Sequence, residues 1–141
     1  MRDRAAAYIA CLEALTPERL PKLSGHLASQ ARFRDPFNDV VGREAVIRVF
    51  SKMFEDVTDI EFSARDLVCS GAVCFFAWTL RCRLRRNRKA LTLKGVTELR
   101  LDDEGRIAAH IDHWDAAGQL YAKLPLLGWI LNRLRHRLSA E

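Results

Sequence analysis

A chain of 141 residues, 49% hydrophobic and 29% charged, has the balance of one globular domain able to bury its own core. No apolar run reaches the roughly 20 residues of a spanning helix, and Met1-Arg2-Asp3-Arg4 has no apolar signal core behind it, so a membrane-spanning or secreted protein is not expected. The net charge of +5 raises a nucleic-acid partner, yet the cations gather at residues 81–89 and 133–137 without interleaved aromatics or a helix-turn-helix pattern, and no nucleic-acid partner is expected.

Residues 2–15 read as a helix, with Tyr8, Ile9, Leu12 and Leu15 at helical spacing among alanines. Thr16 and Pro17 open a second helix that Pro21 keeps short. Ser24-Gly25 ends it, and a strand follows that should stop at Asp35-Pro36. Phe33 and Asp35 lie two apart and share one face of that strand. Two roles are open for Asp35. It is a hydrogen-bond acceptor for the turn that follows, or a desolvated general base beside an aromatic ring. A loop through Asn38 and Asp39 leads to Gly42 and a third helix over 43–55, with Val46, Phe50, Met53 and Phe54 as its stripe.

From there the period changes to two. Ile60, Phe62 and Ala64 alternate with Glu61, Ser63 and Arg65. Strands are expected over 73–85, 91–101 and 106–114, joined by turns at Ser70-Gly71, Asn87 and Asp102-Asp103-Glu104-Gly105, as an antiparallel meander. In the first of these, Phe76, Trp78, Leu80, Cys82 and Leu84 make one apolar face, and Phe75, Ala77, Thr79, Arg81 and Arg83 the other. With helices on one side, the Phe76, Trp78, Leu80 row is expected to face outward and carry a homodimer. Residues 126–138 form an amphipathic helical extension, with Leu127, Ile130, Leu131, Leu134 and Leu138 on one side and Arg133, Arg135, His136 and Arg137 mostly on the other. Packing on the domain or on a partner subunit is expected there rather than membrane-surface contact. Cys11, Cys69, Cys74 and Cys82 have no paired metal spacing and sit among apolar residues; they read as reduced thiols of a cytoplasmic protein. No histidine falls in a metal-ligand pattern, so no metal and no organic cofactor is expected.

Helices first and strands after predict one α+β domain over 1–141. Arg34-Asp35-Pro36-Phe37, the helix start Gly42-Arg43-Glu44 and the turn Gly105-Arg106-Ile107, in this order and ending at Trp114, resemble the nuclear-transport-factor-2-like superfamily, and within it the ketosteroid isomerase and SnoaL-like proteins. The resemblance implies a cone-shaped α+β barrel, a curved and mainly antiparallel sheet wrapped around the N-terminal helices, with an extra C-terminal helix. It implies acid–base chemistry, of a cofactor-independent isomerase, cyclase or lyase, on a small hydrophobic steroid- or polyketide-like ligand in an apolar cavity. The alternative is a non-catalytic ligand-binding or dimerisation module of the same fold.

By that resemblance Asp35 matches the proton-moving aspartate, Tyr8 lies near the oxyanion-hole tyrosine, and Thr97 stands where ketosteroid isomerase has its oxyanion-hole aspartate. Ile111-Asp112-His113-Trp114 is similar to a catalytic strand of limonene-epoxide hydrolase, whose remaining aspartate and arginine fall on Arg81 and Thr79. Asp35, Asp112, Tyr8 and Thr97 are therefore the candidate catalytic residues. Phe33, Phe37, Thr79, Arg81, His110 and Trp114 are the candidate ligand contacts, with Arg81 a possible cross-sheet partner for Asp112.

Overall fold

The computed structural model describes residues 1–120 and 125–139. Helix α1 (Arg2–Glu13), a 3-10 turn (Pro17–Arg19) and α2 (Leu20–Gly25) precede strand β1 (Leu27–Arg34). A short strand β2 (Asp39–Val41), helix α3 (Arg43–Asp56) and strands β3 (Val57–Ser70), β4 (Val73–Leu84), β5 (Ala90–Leu101) and β6 (Ile107–His113) follow. Two further helices, α4 (Ala116–Gln119) and α5 (Pro125–Leu138), close the chain. The strands form one curved sheet in the order β2-β1-β6-β5-β4-β3, antiparallel except where β1 runs parallel to β6. The expected α+β cone is the observed architecture.

Local chemistry explains the joints. Gly42 holds φ at 107°, a conformation that costs a glycine little, and its amide donates to the Ala31 carbonyl at 2.8 Å. Arg43 then reaches back with Nε and a terminal nitrogen to the Leu27 carbonyl, at 3.1 and 2.7 Å. Together they pin the start of α3 to β1. Asp102 accepts from the amides of Glu104 and Arg106, both at 2.9 Å, and closes the tight turn into β6. Arg32 and Asp39 meet through two hydrogen bonds, 2.9 and 2.7 Å, across β1 and β2. The loop expected around Asp39 is thus a strand, paired too briefly for its period to show.

The helices cover the concave face, and the core there joins Tyr8, Leu12, Leu23, Leu27, Phe33, Val46, Phe50, Phe76, Trp78 and Leu99. Each fully buried side chain of that size contributes about 1.5–3 kcal/mol. A neutral hydrogen bond adds about 1 kcal/mol net, so the apolar core holds the fold and the polar groups decide orientation within it.

Two expectations are corrected. The Phe76, Trp78, Leu80 row does not face outward. Phe76 and Trp78 are 1% and 4% exposed, inside the core under the helices, and the row beginning at Phe75 takes the outer face. Cys69 and Cys74 are not free thiols either. They sit opposite one another where β3 turns into β4 and are joined as a disulfide, with Cα atoms 4.1 Å apart. The loop it closes is short, so little chain entropy is removed by it. Cys11 and Cys82 remain free. No described helix is long and apolar enough to cross a membrane. Of the stripe expected on α5, the side chains of Leu127 and Leu131 lie outside the described residues.

Candidate functional site

Strand register builds the site. Asp112 pairs with Thr97 and Thr97 with Phe76, and directly opposed residues share a face of the sheet. Asp112, Thr97, Phe76 and Trp78 therefore all point under the helices. His110, two residues before Asp112 on β6, points the same way and is 4% exposed. Helix α1 brings Tyr8 down from above, fully buried.

These side chains form one continuous hydrogen-bonded chain. The Tyr8 hydroxyl lies 2.8 Å from His110 Nδ1. His110 Nε2 lies 2.8 Å from Asp112 Oδ1. The Thr97 hydroxyl donates to the same oxygen at 2.5 Å, and Trp78 Nε1 donates to Thr97 Oγ1 at 2.9 Å. Burial first, and then the Asp112 charge, push the Tyr8 hydroxyl well above its ordinary pKa of 10.0, because an anion there would be both desolvated and repelled. Tyr8 thus keeps its proton and donates it to Nδ1. With Nδ1 accepting, the tautomer that fits this geometry carries its proton on Nε2, 2.8 Å from Asp112 Oδ1. Phe33 packs against the imidazole at 4.9 Å between ring centroids, Tyr8 at 5.8 Å and Phe50 at 6.1 Å.

The consequence for Asp112 is an asymmetric carboxylate. Oδ1 accepts from both His110 and Thr97, whereas Oδ2 accepts no hydrogen bond from any described side chain. The side chain is 19% exposed, so this is the one end of the chain that meets the outside. Trp114, two residues further on, meets Phe37 edge to face with centroids 5.6 Å apart.

Asp35 has the other of its two roles. Its Oδ1 accepts from the amides of Phe37 and Asn38, at 2.8 and 2.7 Å, and from Asn38 Nδ2 at 3.1 Å. Oδ2 is 3.3 Å from the same Nδ2. Its carboxylate is occupied in holding the turn from β1 to β2. Tyr8 and Thr97 are also placed differently from an oxyanion hole, since each commits its hydroxyl proton inside the protein. Thr79 and Arg81 lie on the outer face, away from Asp112. Thr79 accepts from Arg65 at 3.2 Å, and Arg81 stands exposed between Glu61 and Thr92. No pair forms between Arg81 and Asp112.

Two participants were not legible as such. Trp78, expected on the outer face, lies inside the core. Gly95 lies opposite Trp78 in the β4–β5 ladder. A Cβ on Gly95 would come within 2.5 Å of the indole, so its absence is what lets the ring lie across β5 and reach Thr97. A glycine inside an alternating strand is the signal for such a close approach.

The SnoaL-like domain profile matches residues 6–110, three quarters of the chain. The protein belongs to the SnoaL-like family. Solved structures agree on the fold. A protein with a ketosteroid isomerase-like fold from Catenulispora acidiphila, in complex with trimethylamine, has a TM-score of 0.73 at 15% identity, over 89% of this chain and 95% of the other. An NTF2-like protein of unknown function from Burkholderia pseudomallei gives 0.72 at 22%, over 82% and 93%. A proposed SnoaL-like polyketide cyclase from Shewanella putrefaciens gives 0.69 at 17%, over 84% and 93%. No curated protein matches this SnoaL-like chain significantly.

Proposed function

We propose that this SnoaL-like protein is a small-molecule enzyme in which Asp112 moves a proton on a hydrophobic ligand bearing a carbonyl group, of steroid or polyketide type. The observation that carries this reading is the carboxylate with one oxygen held by His110 and Thr97 and the other without a protein donor among the described residues. Two donors on Oδ1 fix the direction of the group, so Oδ2 can take a proton from a carbon beside a carbonyl and return it to another atom of the same ligand. His110 is held in turn by Tyr8, so the orientation is set three residues deep. Trp114, two residues beyond Asp112, offers apolar surface for the ligand. The proposed cyclase from Shewanella supports the ligand class only by likeness of fold.

The test is turnover of a panel of enones and polyketide-like ketones by Asp112→Asn and Asp35→Asn. Loss of a general base lowers kcat by about 10²–10⁴-fold, and this is expected for Asp112→Asn with the fold retained. Asp35→Asn, which keeps an acceptor oxygen for the turn, is expected to change kcat by less than about threefold. The opposite ranking would return the base role to Asp35.

A second reading is a non-catalytic binding module. It is favoured by the self-contained hydrogen bonding of Asp35, Tyr8 and Thr97, none of which is left to meet a ligand. Native mass spectrometry showing a copurified ligand that Asp112→Asn binds equally well, without turnover by either form, would select it.

A further inference from the structure

Helix α5 carries an apolar row that the domain does not cover. Trp129, Ile130, Leu134 and Leu138 are 59%, 42%, 49% and 85% exposed. Ile130, Leu134 and Leu138 recur every four residues and so fall within about 80° of the helix circumference. Arg133 and Arg137 border this row on one side, while Arg135 on the other side turns its guanidinium toward Gly118 of α4. The fourteen residues of the helix include no acidic side chain. Arg133 lies over the indole of Trp129, 5.5 Å from the ring centroid, which joins an aromatic ring and a cation at the boundary between the two faces.

From this arrangement we infer that α5 docks on an anionic lipid surface, lying flat with the Ile130, Leu134, Leu138 row buried among acyl chains. Arg133 and Arg137 reach headgroup phosphates while their stems stay in apolar surroundings. Tryptophan is the side chain suited to the boundary layer. A helix of this length is too short to span. The complementary charge decides the occupant: a second copy of the chain brings the same arginines, whereas an anionic bilayer offers phosphates along the whole helix. The net charge of +5 favours the approach of the entire molecule.

The experiment uses the full chain with vesicles of phosphatidylcholine alone, or containing about one third phosphatidylglycerol, read by sedimentation and tryptophan fluorescence. Binding is expected to the anionic vesicles only, with a blue shift that Trp129→Phe removes. Each of Arg133→Ser and Arg137→Ser is expected to weaken partition about fivefold, and Leu134→Ser with Leu138→Ser to abolish it. These positions face solvent, and an unchanged melting curve confirms that each variant keeps its core. The proposal is overturned by absence of sedimentation with either vesicle, or by sedimentation that the double leucine variant leaves unchanged. It is equally overturned if α5 mediates self-association in vesicle-free buffer that Leu134→Ser disrupts, since a second copy then covers the row.

Discussion

Tyr8 shows how burial and charge act on a single group. Its hydroxyl is held far above the ordinary tyrosine pKa by desolvation and then by Asp112. The unfolded chain ionises this tyrosine near pH 10 while the folded chain keeps the proton, so the folded state binds more protons above that pH. The sign follows. The stability linked to Tyr8 is intact below about pH 10 and is lost above it, with a limiting slope of about 1.4 kcal/mol per pH unit. Denaturant melts between neutral and strongly alkaline pH are expected to show a steeper alkaline decline for the native chain than for Tyr8→Phe. Equal slopes would mean that the hydroxyl is not protected. Asp35, His110 and Asp112 were all visible in the sequence as candidates, but residue type alone does not tell an acceptor already occupied by two amides from one with a free oxygen. The amide donors to Asp35 come from its own turn, whereas the donors to Asp112 are side chains of two strands, His110 on β6 and Thr97 on β5.

At the scale of elements, the pairing of β4 with β5 orients the polar chain. Trp78 reaches Thr97 across Gly95 because nothing fills the space above that residue. Replacing Gly95 by valine is expected to push the indole aside, cost about 1–3 kcal/mol in stability by overpacking, and reduce turnover together with it. Thr97→Val would instead leave the indole N–H without its acceptor and Asp112 with one donor fewer, at a cost of about 1–3 kcal/mol, while the packing stays. Urea melts and the near-ultraviolet signal of Trp78 distinguish the two. Most element boundaries were readable from the period of apolar residues: α3, β4, β5 and β6 lie within two residues of expectation. β3 extends further than its alternation suggests, because Asp59 and Asp66 adopt positive φ where the pairing shifts and the period is broken at both places.

For the whole molecule, the inversion of β4 changes where a second copy would dock. The expected homodimer cannot use Phe76 and Trp78, which are core. The outer face instead presents Phe75 and Val96, 40% and 41% exposed, beside Ala77 and Ile111. We propose instead a homodimer through this outer row, for which light scattering is expected to give a dimeric mass that Phe75→Glu reduces to a monomer. A monomeric mass for the native chain at micromolar concentration would end the idea.

What the sequence determined alone was local: the order of helices and strands, the turns at Gly42 and Gly105, the α+β class and the family they resemble. These follow from periodicity and from residues with unusual backbone freedom, which act over a few neighbours. The tertiary structure decided which face of β4 looks inward, that Cys69 and Cys74 meet, and that Tyr8, His110, Asp112, Thr97 and Trp78 form one chain across α1, β4, β5 and β6. Alternation assigns residues to two faces without saying which is buried, and a shift of one residue in register exchanges them. Only the packing of helices on the sheet removes that ambiguity.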